Sequence, residues 1–397
     1  MPKLLFFLTL FFLFFFSQEA WALNQWDAGG ISAPRSGLID SPFLSANGKR
    51  IYFSYAPVAF LDFILGTSLY PRGESLPGHV QDGSHQNTAD LYYVEWNGTT
   101  WSAPVNLGPN INSLVTDCCA WLNPTETQII FFRYGDTTRQ GMTAFRANKN
   151  DPWGTPIVLL GDYGTANMSD DVARSDLTLG PITGDVYLWE YRSPSVSTKV
   201  GRLMRGVWNG ETHNAPVGFD APAWDKEDVD ETQPWISPDE KTLLFNRRDV
   251  NGQTTLWRST RSSVTASWAD PVQVPISGFA DELNQMIWGE VSLTPNQDRL
   301  VAVRFNTVPS GWKSEIITAP GTALSGFTNA VALNSGTPPE VPTIQGDLNQ
   351  DGIVNSLDWS IMNSEWFEYN KQSDINGDTI TNSLDRALMI RNWLLIF

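Results

Sequence analysis

The feature that most constrains the fold is a phrase that recurs five times along the chain. Each copy has an apolar residue, a polar corner residue, a short turn, and then an apolar run rich in aromatic and β-branched residues. The corner residues are spaced 78, 57, 57 and 57 residues apart, at Ser45, Asn123, Gly180, Ser237 and Thr294. Three equal intervals indicate a repeat architecture in which each copy forms one structural unit.

The composition of each unit favours β structure. Short runs of Val, Ile, Tyr, Phe and Trp are broken by Gly, Pro, Asn and Asp, and residues 30–330 contain no long apolar stripe of helical period. A second phrase, WNGTTWSAPVNL from Trp96, recurs between corners with a polar turn, a large residue and then Pro. Because Pro has no N–H to donate, this phrase predicts a strand at an outer sheet edge. The pattern predicts a mainly β fold, a β-propeller of five blades, with six blades as the open alternative.

Two stretches resemble a known propeller family. NLGPNINSLVTDCCAWLNPTETQIIFF and DETQPWISPDEKTLLFNRR resemble the WD-like repeat of TolB-type proteins, whose signature is a Ser-Pro-Asp-Gly-Lys turn before a strand ending in Tyr-Phe. In the third and fifth copies other residues replace this turn, beginning at Gly180 and Thr294. The resemblance implies a WD-like propeller domain over residues 23–333.

The longer first interval predicts an insertion near residues 57–88, on one rim of the propeller. It contains His79, Asp82 and His85, which are either metal ligands or members of a solvated polar loop, and we favour the loop. The two cysteines, Cys118 and Cys119, are adjacent and cannot join distant strands. We expect reduced or half-buried thiols rather than a vicinal disulfide.

The N-terminal residues predict export. Lys3 precedes an apolar run rich in Phe and Leu, and Ala20-Trp21-Ala22 is a small-x-small cleavage site, so residues 1–22 are predicted to be a signal peptide. No later run reaches the roughly 18 apolar residues that a membrane helix needs. We therefore expect a secreted protein, extracellular or at the cell surface, with the periplasm also open, and no membrane span.

Charge excludes one class of partner. The net charge is -17, and the sequence lacks the clustered Lys and Arg that bind nucleic-acid phosphates, so we expect no nucleic-acid partner. Residues 334–345, NSGTPPEVPTIQ, replace aromatic strands by Pro, Gly and Thr and predict a semi-rigid linker before a small module over residues 346–397.

That module contains two EF-hand-type loops, GDLNQDGIVNSLD and DINGDTITNSLD, which start 27 residues apart. Alternate residues of such a loop bring oxygen atoms to one centre, as calcium requires, so we expect two calcium ions. The predicted ligands are Asp347, Asn349, Asp351, the Ile353 carbonyl, Asn355 and Asp358 in the first loop, and Asp374, Asn376, Asp378, the Ile380 carbonyl, Asn382 and Asp385 in the second. Thr379 stands where Gly is usual, which predicts a strained turn and a weaker second site. The alternative is a pair of capped helices without metal.

The module resembles a type I dockerin, because Asp closes each loop, a Pro-containing segment precedes the first loop, and the repeats resemble DxNxDGxVNSxD. The resemblance implies calcium-dependent pairing with a cohesin-type domain. The residues that it assigns to the contact with cohesin are Ser356, Leu357, Ser383 and Leu384.

Two functions stay open for the propeller. It is either a platform that binds polysaccharide or a cell-surface protein, or a glycoside hydrolase of the arabinanase kind, and we favour the platform. Hydrolysis needs one protonated and one ionised carboxyl group, and acidic residues precede each corner, at Asp40, Asp117, Asp176, Glu231 and Glu290. Their offsets from the corners differ, and such residues can instead bond backbone amides. Most of the 17 Trp residues are expected to lie between blades.

Overall fold

The computed structural model describes most of residues 37–333 and part of the C-terminal module. The described residues are 37–57, 76–80, 88–134, 138–159, 165–167, 172–192, 200–211, 213–219, 224, 229–249, 254–277, 285–287, 290–308, 311–333, 346, 348, 354, 356–367, 373–376 and 379–391. The predicted signal peptide and the predicted linker, residues 1–22 and 334–345, lie outside them.

Five antiparallel sheets form the blades of a propeller, and each sheet uses strands that are consecutive in sequence. Blade one holds β1 (Leu38–Leu44), β2 (Arg50–Ala56), β3 (Asp90–Glu95) and β4 (Val105–Asn106). Blade two holds β5 (Thr116–Leu122), β6 (Gln128–Tyr134), β7 (Thr138–Phe145), β8 (Ile157–Val158) and β9 (Thr165–Asn167). Blade three holds β10 (Val172–Leu179), β11 (Val186–Arg192), β12 (Val200–Gly206) and β13 (Val217–Gly218).

Blade four holds β14 (Asp230–Ile236), β15 (Thr242–Arg248), β16 (Thr254–Thr260) and β17 (Val272–Val274). Blade five holds β18 (Gln285–Ile287), β19 (Ser292–Leu293), β20 (Arg299–Val308), β21 (Gly311–Thr322), β22 (Gly326–Phe327) and β23 (Val331–Ala332). The predicted mainly β fold with five blades is confirmed.

Apolar side chains fill the space between neighbouring blades. Each pair of neighbours shares one buried cluster, represented in turn by Tyr52 with Phe131, Ile130 with Leu188, Tyr187 with Phe245, Leu244 with Ala302, and Phe53 with Val301. The last cluster joins blade five to blade one, where the Ile39 N–H also donates to Ser314 Oγ at 2.6 Å. The blades therefore close into a ring.

The recurring corner has a structural cause. The corner residue follows the first strand of its blade, and in four of the five blades its side-chain oxygen accepts a hydrogen bond from the backbone N–H five residues later. Ser45 Oγ accepts from the Arg50 N–H at 2.9 Å, and Ser237 Oγ accepts from the Thr242 N–H at 2.9 Å. Short polar side chains stabilise such turns by replacing a backbone acceptor, which explains why the phrase repeats.

The outermost strands confirm the prediction from the second phrase. β4, β8, β13 and β17 are two or three residues long and lie at the outer edge of their order in blades one to four. Each begins directly after a proline, at Pro104, Pro156, Pro216 and Pro271. Short edge strands flanked by Pro limit pairing with other chains.

The predicted insertion is the connection between β2 and β3. Its described part, residues 76–80, is anchored on blade one: the Val80 N–H donates to Asp90 Oδ2 at 2.7 Å, and His79 Nδ1 lies 3.2 Å from the same oxygen. The His79 side chain is buried, so the expectation of a solvated loop is wrong for this residue. Asp82 and His85 lie outside the described residues.

The C-terminal module contains two helices, α1 (Ser356–Ser364) and α2 (Ser383–Arg391). Its core contains two pairs of residues that the 27-residue repeat makes equivalent, Leu348 with Ile375 and Met362 with Met389, together with Val354. In the part of the chain that the structure describes, neither helix has the length and apolar character needed to cross a membrane.

Candidate functional sites

The first strands of the blades surround the centre of the propeller and share one irregularity. β1 contacts β5, β5 contacts β10, and β10 contacts β14. Their pairing with the next strand shifts register at a β-bulge, between Asp40 and Phe43, Cys118 and Trp121, Ser175 and Thr178, and Thr232 and Trp235. Bulges change the direction in which a side chain points and often lie beside functional sites.

One residue of each bulge has a left-handed backbone. The φ angles are 56° at Ser41, 61° at Cys119, 50° at Asp176 and 57° at Gln233, and each residue lies four positions before its corner. Residues other than Gly adopt this conformation at a cost, so the surrounding structure must hold it. In blade five, the residue four positions before the corner is Glu290.

These equivalent positions bring side chains from different blades together. The Ser41 hydroxyl donates a hydrogen bond to Cys119 Sγ at 3.5 Å. Cys119 Sγ and one carboxylate oxygen each of Asp176 and Glu290 lie within 4.8 Å of one another. Residues from blades one, two, three and five therefore meet at one place.

Asp40, Asp176 and Glu290, which we call the central carboxyl cluster, interact electrostatically. Burial raises the pKa of Asp40 to about 7, and the nearby charge of Asp176 adds to the effect of burial. Burial also raises the pKa of Glu290 well above its usual range, with further contributions from Asp176 and Asp40. The indole N–H of Trp189 donates a hydrogen bond to Asp176 Oδ2. Protonation makes a carboxyl group neutral, so a proton on one member of this cluster relieves its repulsion with the others.

Two of the five acidic candidates form ion pairs instead. Asp117 Oδ1 accepts from Arg133 Nε at 2.7 Å, and its other oxygen accepts from the N–H and hydroxyl of Ser113. Glu231 Oε1 accepts from Arg247 Nη2 at 2.6 Å. Burial raises the pKa of Asp117 to about 6, although Arg133 and Ser113 act against this rise. Both residues lie six positions before their corner and join the first strand to the second.

Cys118 and Cys119 form a vicinal disulfide, so the expectation of two thiols is wrong. Successive side chains of a regular strand point to opposite faces, which would separate the two sulfur atoms. The bulge at this point, with the left-handed backbone of Cys119, breaks the alternation and allows them to meet.

The C-terminal module ties each loop to the helix that follows it. The Leu348 N–H donates to Asp358 Oδ1 at 2.7 Å, and the Ile375 N–H donates to Asp385 Oδ1 at 2.8 Å, so the same bond occurs in both copies. Both aspartates are fully buried. The remaining predicted ligands of the first loop, and one of the second, lie outside the described residues, namely Asp347, Asn349, Asp351, Ile353, Asn355 and Asp378.

The second loop shows how its carboxylates are held. Asp374 Oδ2 accepts from the Thr379 N–H at 2.7 Å, and Asp385 Oδ2 accepts from the Asn382 N–H at 2.8 Å. Thr379 has a φ of 79°, which confirms that this turn requires the backbone conformation that favours Gly. The described donors here are carboxylate, amide and carbonyl oxygens, including those of Asn376 and Ile380, and calcium prefers this chemistry. The residues present therefore fit calcium.

The residues expected to contact a partner lie at the start of the helices. Ser356 and Ser383 are exposed at the first position of α1 and α2, and Leu384 is 60% exposed. The Leu357 side chain lies outside the described set. The propeller offers fewer exposed aromatic side chains than the number of Trp residues suggests, because Trp96, Trp101, Trp121, Trp153, Trp224 and Trp235 are buried.

The comparisons with known proteins concern the C-terminal module and the propeller separately. Residues 345–394 match the family described as the dockerin type I domain. Among curated proteins, none matches the sequence.

Three solved structures are similar to the propeller. A protein of unknown function from Dyadobacter fermentans shares 11% identity over 78% of this chain and 87% of its own, with a TM-score of 0.43. TolB from Acinetobacter baumannii shares 9% identity over 74% of this chain and 57% of its own length, with a TM-score of 0.34. The catalytic domain of the Coprinopsis cinerea GH62 α-L-arabinofuranosidase shares 14% identity over 71% of this chain and 93% of its own length, with a TM-score of 0.41. The chain combines a five-bladed β-propeller with a C-terminal module whose residues 345–394 match the dockerin type I domain.

Proposed function

We propose that this chain is an exported protein that docks, through its calcium-loaded dockerin domain, on a cohesin-type domain of a partner protein. The observation that carries the proposal is the bond that occurs in both copies, in which buried Asp358 and Asp385 each accept the N–H of the second loop residue. Together with the family match over residues 345–394, this repeat supports two equivalent loops that close in the same way.

The chain's own residues connect loop closure to docking. Asp358 and Asp385 are the third residues of α1 and α2, so each loop is tied to the first turn of its helix. Carboxylates at this end of a helix are also favoured by the helix dipole. Calcium, when bound, supplies the positive charge that offsets repulsion among the loop carboxylates. Loop closure then fixes the exposed residues of the same turn, Ser356, Ser383 and Leu384, for contact with the partner.

A surface-binding experiment tests the proposal. The full chain is passed over a panel of immobilised cohesin domains, once with about 10 mM calcium and once with excess chelator, because about 10 mM is at least ten times the dissociation constant of the weaker class of EF-hand-type sites. We expect binding to at least one cohesin in calcium and none with chelator. Asp358→Ala combined with Asp385→Ala should abolish binding, whereas Asp270→Ala, an exposed change on blade four, should not. Equal binding with and without calcium would contradict the proposal.

The second candidate function, hydrolysis of glycosidic bonds by the propeller, is favoured by the central carboxyl cluster. Glu290 suits the general acid because burial raises its pKa well above the usual range, which favours the protonated form. Asp176, which accepts the indole N–H of Trp189, suits the ionised partner. Asp40 interacts electrostatically with both, so its charge state affects how readily each of the other two ionises. Asp117 and Glu231 have no role in this scheme because arginine neutralises each of them.

Asp40→Asn and Glu290→Gln test the second candidate on a panel of plant and microbial polysaccharides. If the propeller is a hydrolase, each change should lower the rate at least 100-fold, which is the usual contribution of an acid or base. Glu211→Gln, an exposed change on blade three, is the matched control. A wild-type chain that releases no sugar but binds a glycan array would favour the binding platform instead.

A further inference from the structure

The centre of the propeller holds a set of metal-ligating groups that docking through the C-terminal module does not use. The set consists of Cys119, Asp176 and Glu290, which come from three different blades and share the position four residues before a corner. Cys119 and Asp176 have left-handed backbones, which the surrounding strands must hold in place. The closed ring of blades, rather than one local loop, therefore brings these ligating atoms together.

One oxygen of this set lacks a hydrogen-bond partner. Glu290 Oε2 is buried, and among the residues that the structure describes nothing donates to it. The charged groups that act on Glu290 within the described residues are Asp176 and Asp40, and both are acidic. A buried acceptor without a donor carries a desolvation cost, and a bound ion is one way to recover it. The orphaned oxygen therefore points to a cation at this place.

The disulfide decides whether sulfur can serve as a ligand. In the oxidised chain Cys119 Sγ is bonded to Cys118, so it carries no thiolate charge. Both cysteines are partly exposed, so a reductant can reach the bond. A dithiol attacks one sulfur, breaks the S–S bond and leaves as its own cyclic disulfide, and its two electrons and two protons convert both cysteines to thiols. The Cys119 thiol then releases its proton to solvent as a metal ion binds.

One thiolate and two carboxylates fit zinc. Thiolate ligands select zinc over the hard cations, and three protein ligands leave the fourth tetrahedral position to water. Around such an ion the ligand atoms lie roughly 3.4–3.6 Å apart, so the atoms of this set need to approach by about 1 Å. The Ser41 hydroxyl already donates to Cys119 Sγ, and a bond of this kind orients a ligand and stabilises its charge.

We propose that Cys119, Asp176 and Glu290 bind a zinc-class divalent ion when the Cys118–Cys119 disulfide is reduced. Oxidation removes the thiolate, so the site exists in one redox state of a single bond. The inference goes beyond docking on cohesin, which involves other residues of the chain. In the oxidised state the carboxyl groups stay available for the second candidate function.

Two single-cysteine variants test the inference. Cys118→Ser and Cys119→Ser each remove the disulfide and keep one thiol, but only the first keeps the thiol within the set. The full chain is held in about 10 mM calcium to fill the EF-hand-type loops, and cobalt(II) is the probe because cobalt–thiolate bonds absorb in the near ultraviolet. We expect Cys118→Ser to bind one cobalt ion with this absorption in the absence of reductant. Cys119→Ser should show no such absorption, and zinc should displace the cobalt from Cys118→Ser.

The wild-type chain gives an independent measurement that needs no folded variant. It should gain the absorption after treatment with a dithiol and anaerobic removal of the reductant, and lose it on reoxidation. In the Cys118→Ser background, Glu290→Gln should weaken cobalt binding at least 10-fold, whereas Glu211→Gln, an exposed control, should change it less than 2-fold. Equal absorption in both single-cysteine variants would overturn the inference, because either thiol would then suffice. Absence of the absorption from both Cys118→Ser and the reduced wild type would also overturn it.

Discussion

Glu240 of blade four is hydrogen-bonded to Thr183 of blade three through both carboxylate oxygens. Oε1 accepts from the Thr183 N–H at 2.7 Å, and Oε2 accepts from the Thr183 hydroxyl at 2.8 Å. The Ile182 N–H also donates to Oε1, and Arg261 Nη2 lies 3.1 Å from Oε2. One buried carboxylate thus binds the turn of the neighbouring blade.

Glu126 makes the corresponding link between blades two and one. It accepts from the Tyr52 hydroxyl at 2.5 Å and from Arg50 Nη1 at 3.2 Å. Glu126 and Glu240 both lie three positions after their corner, with left-handed backbones. The recurring turn therefore positions a residue that joins one blade to the next, in addition to shaping its own blade.

Glu240→Ala should destabilise the propeller strongly. The side chains of Glu240 and Arg261 are both fully buried, so removal of the carboxylate leaves a buried cation without its partner. We expect a loss of about 3–5 kcal/mol, the range measured for breaking buried ion pairs, and a fall in Tm of at least about 6 °C by calorimetry. Glu211→Ala, an exposed control, should shift Tm by less than about 1 °C. An equal small shift for both variants would contradict the link between blades.

Asp40→Asn should change how stability depends on pH. The pKa of Asp40 rises from 3.8 to about 7 on folding, so its contribution to stability is fully present below pH 3.8 and is lost as the pH rises through about 7. Asn keeps the Oδ1 that accepts the Ser41 N–H but cannot ionise. In saturating calcium, the Tm of the variant should equal that of the wild type near pH 4 and exceed it by about 2 °C or more at pH 8. Parallel Tm curves across this range would show that Asp40 does not titrate as described.

Thr379→Gly should strengthen the second calcium loop. A left-handed backbone costs a residue other than Gly about 1–2 kcal/mol, and Gly keeps the N–H that donates to Asp374. Part of the gain is offset by the greater freedom of Gly in the open loop. We expect calcium affinity at this site to rise two- to five-fold in a calorimetric titration of the full chain. An unchanged or weaker affinity would mean that the left-handed backbone at Thr379 does not limit calcium binding.

The corners and the outer strands could be predicted because each depends on local chemistry. In four blades a side-chain oxygen at the corner accepts a hydrogen bond from a backbone N–H of its own turn. A proline before a strand has no N–H to donate, which suits an outer strand and not a central one. The number of blades then follows from counting corners. The third copy differs because Gly180 has no hydroxyl, and there Thr183 Oγ1 accepts from the Asp185 N–H at 3.1 Å.

The sequence indicated the acidic residues of the central carboxyl cluster but not that these three lie together. A signal was present in the sequence, because Ser41, Cys119, Asp176, Gln233 and Glu290 all lie four positions before a corner. Which offset faces the centre depends on the bulge, and the bulge is a property of strand pairing rather than of any one residue. Asp117 and Glu231, two positions further from the corner, are therefore paired with arginines of the next strand. The disulfide was missed for the same reason.

The family of the C-terminal module could be predicted from the sequence, because oxygen-bearing residues at alternate positions of a tight loop are typical of EF-hand-type loops. The matching bonds of Asp358 and Asp385 add the connection from loop to helix that spacing does not contain.

A calorimetric calcium titration of the full chain tests the central claim most directly. We predict two bound ions per chain, with helical content that rises as they bind and falls when chelator removes them. Asp358→Ala and Asp385→Ala should each reduce the number to one. A wild-type chain that binds no calcium, or whose helical content is the same with and without chelator, would contradict the account.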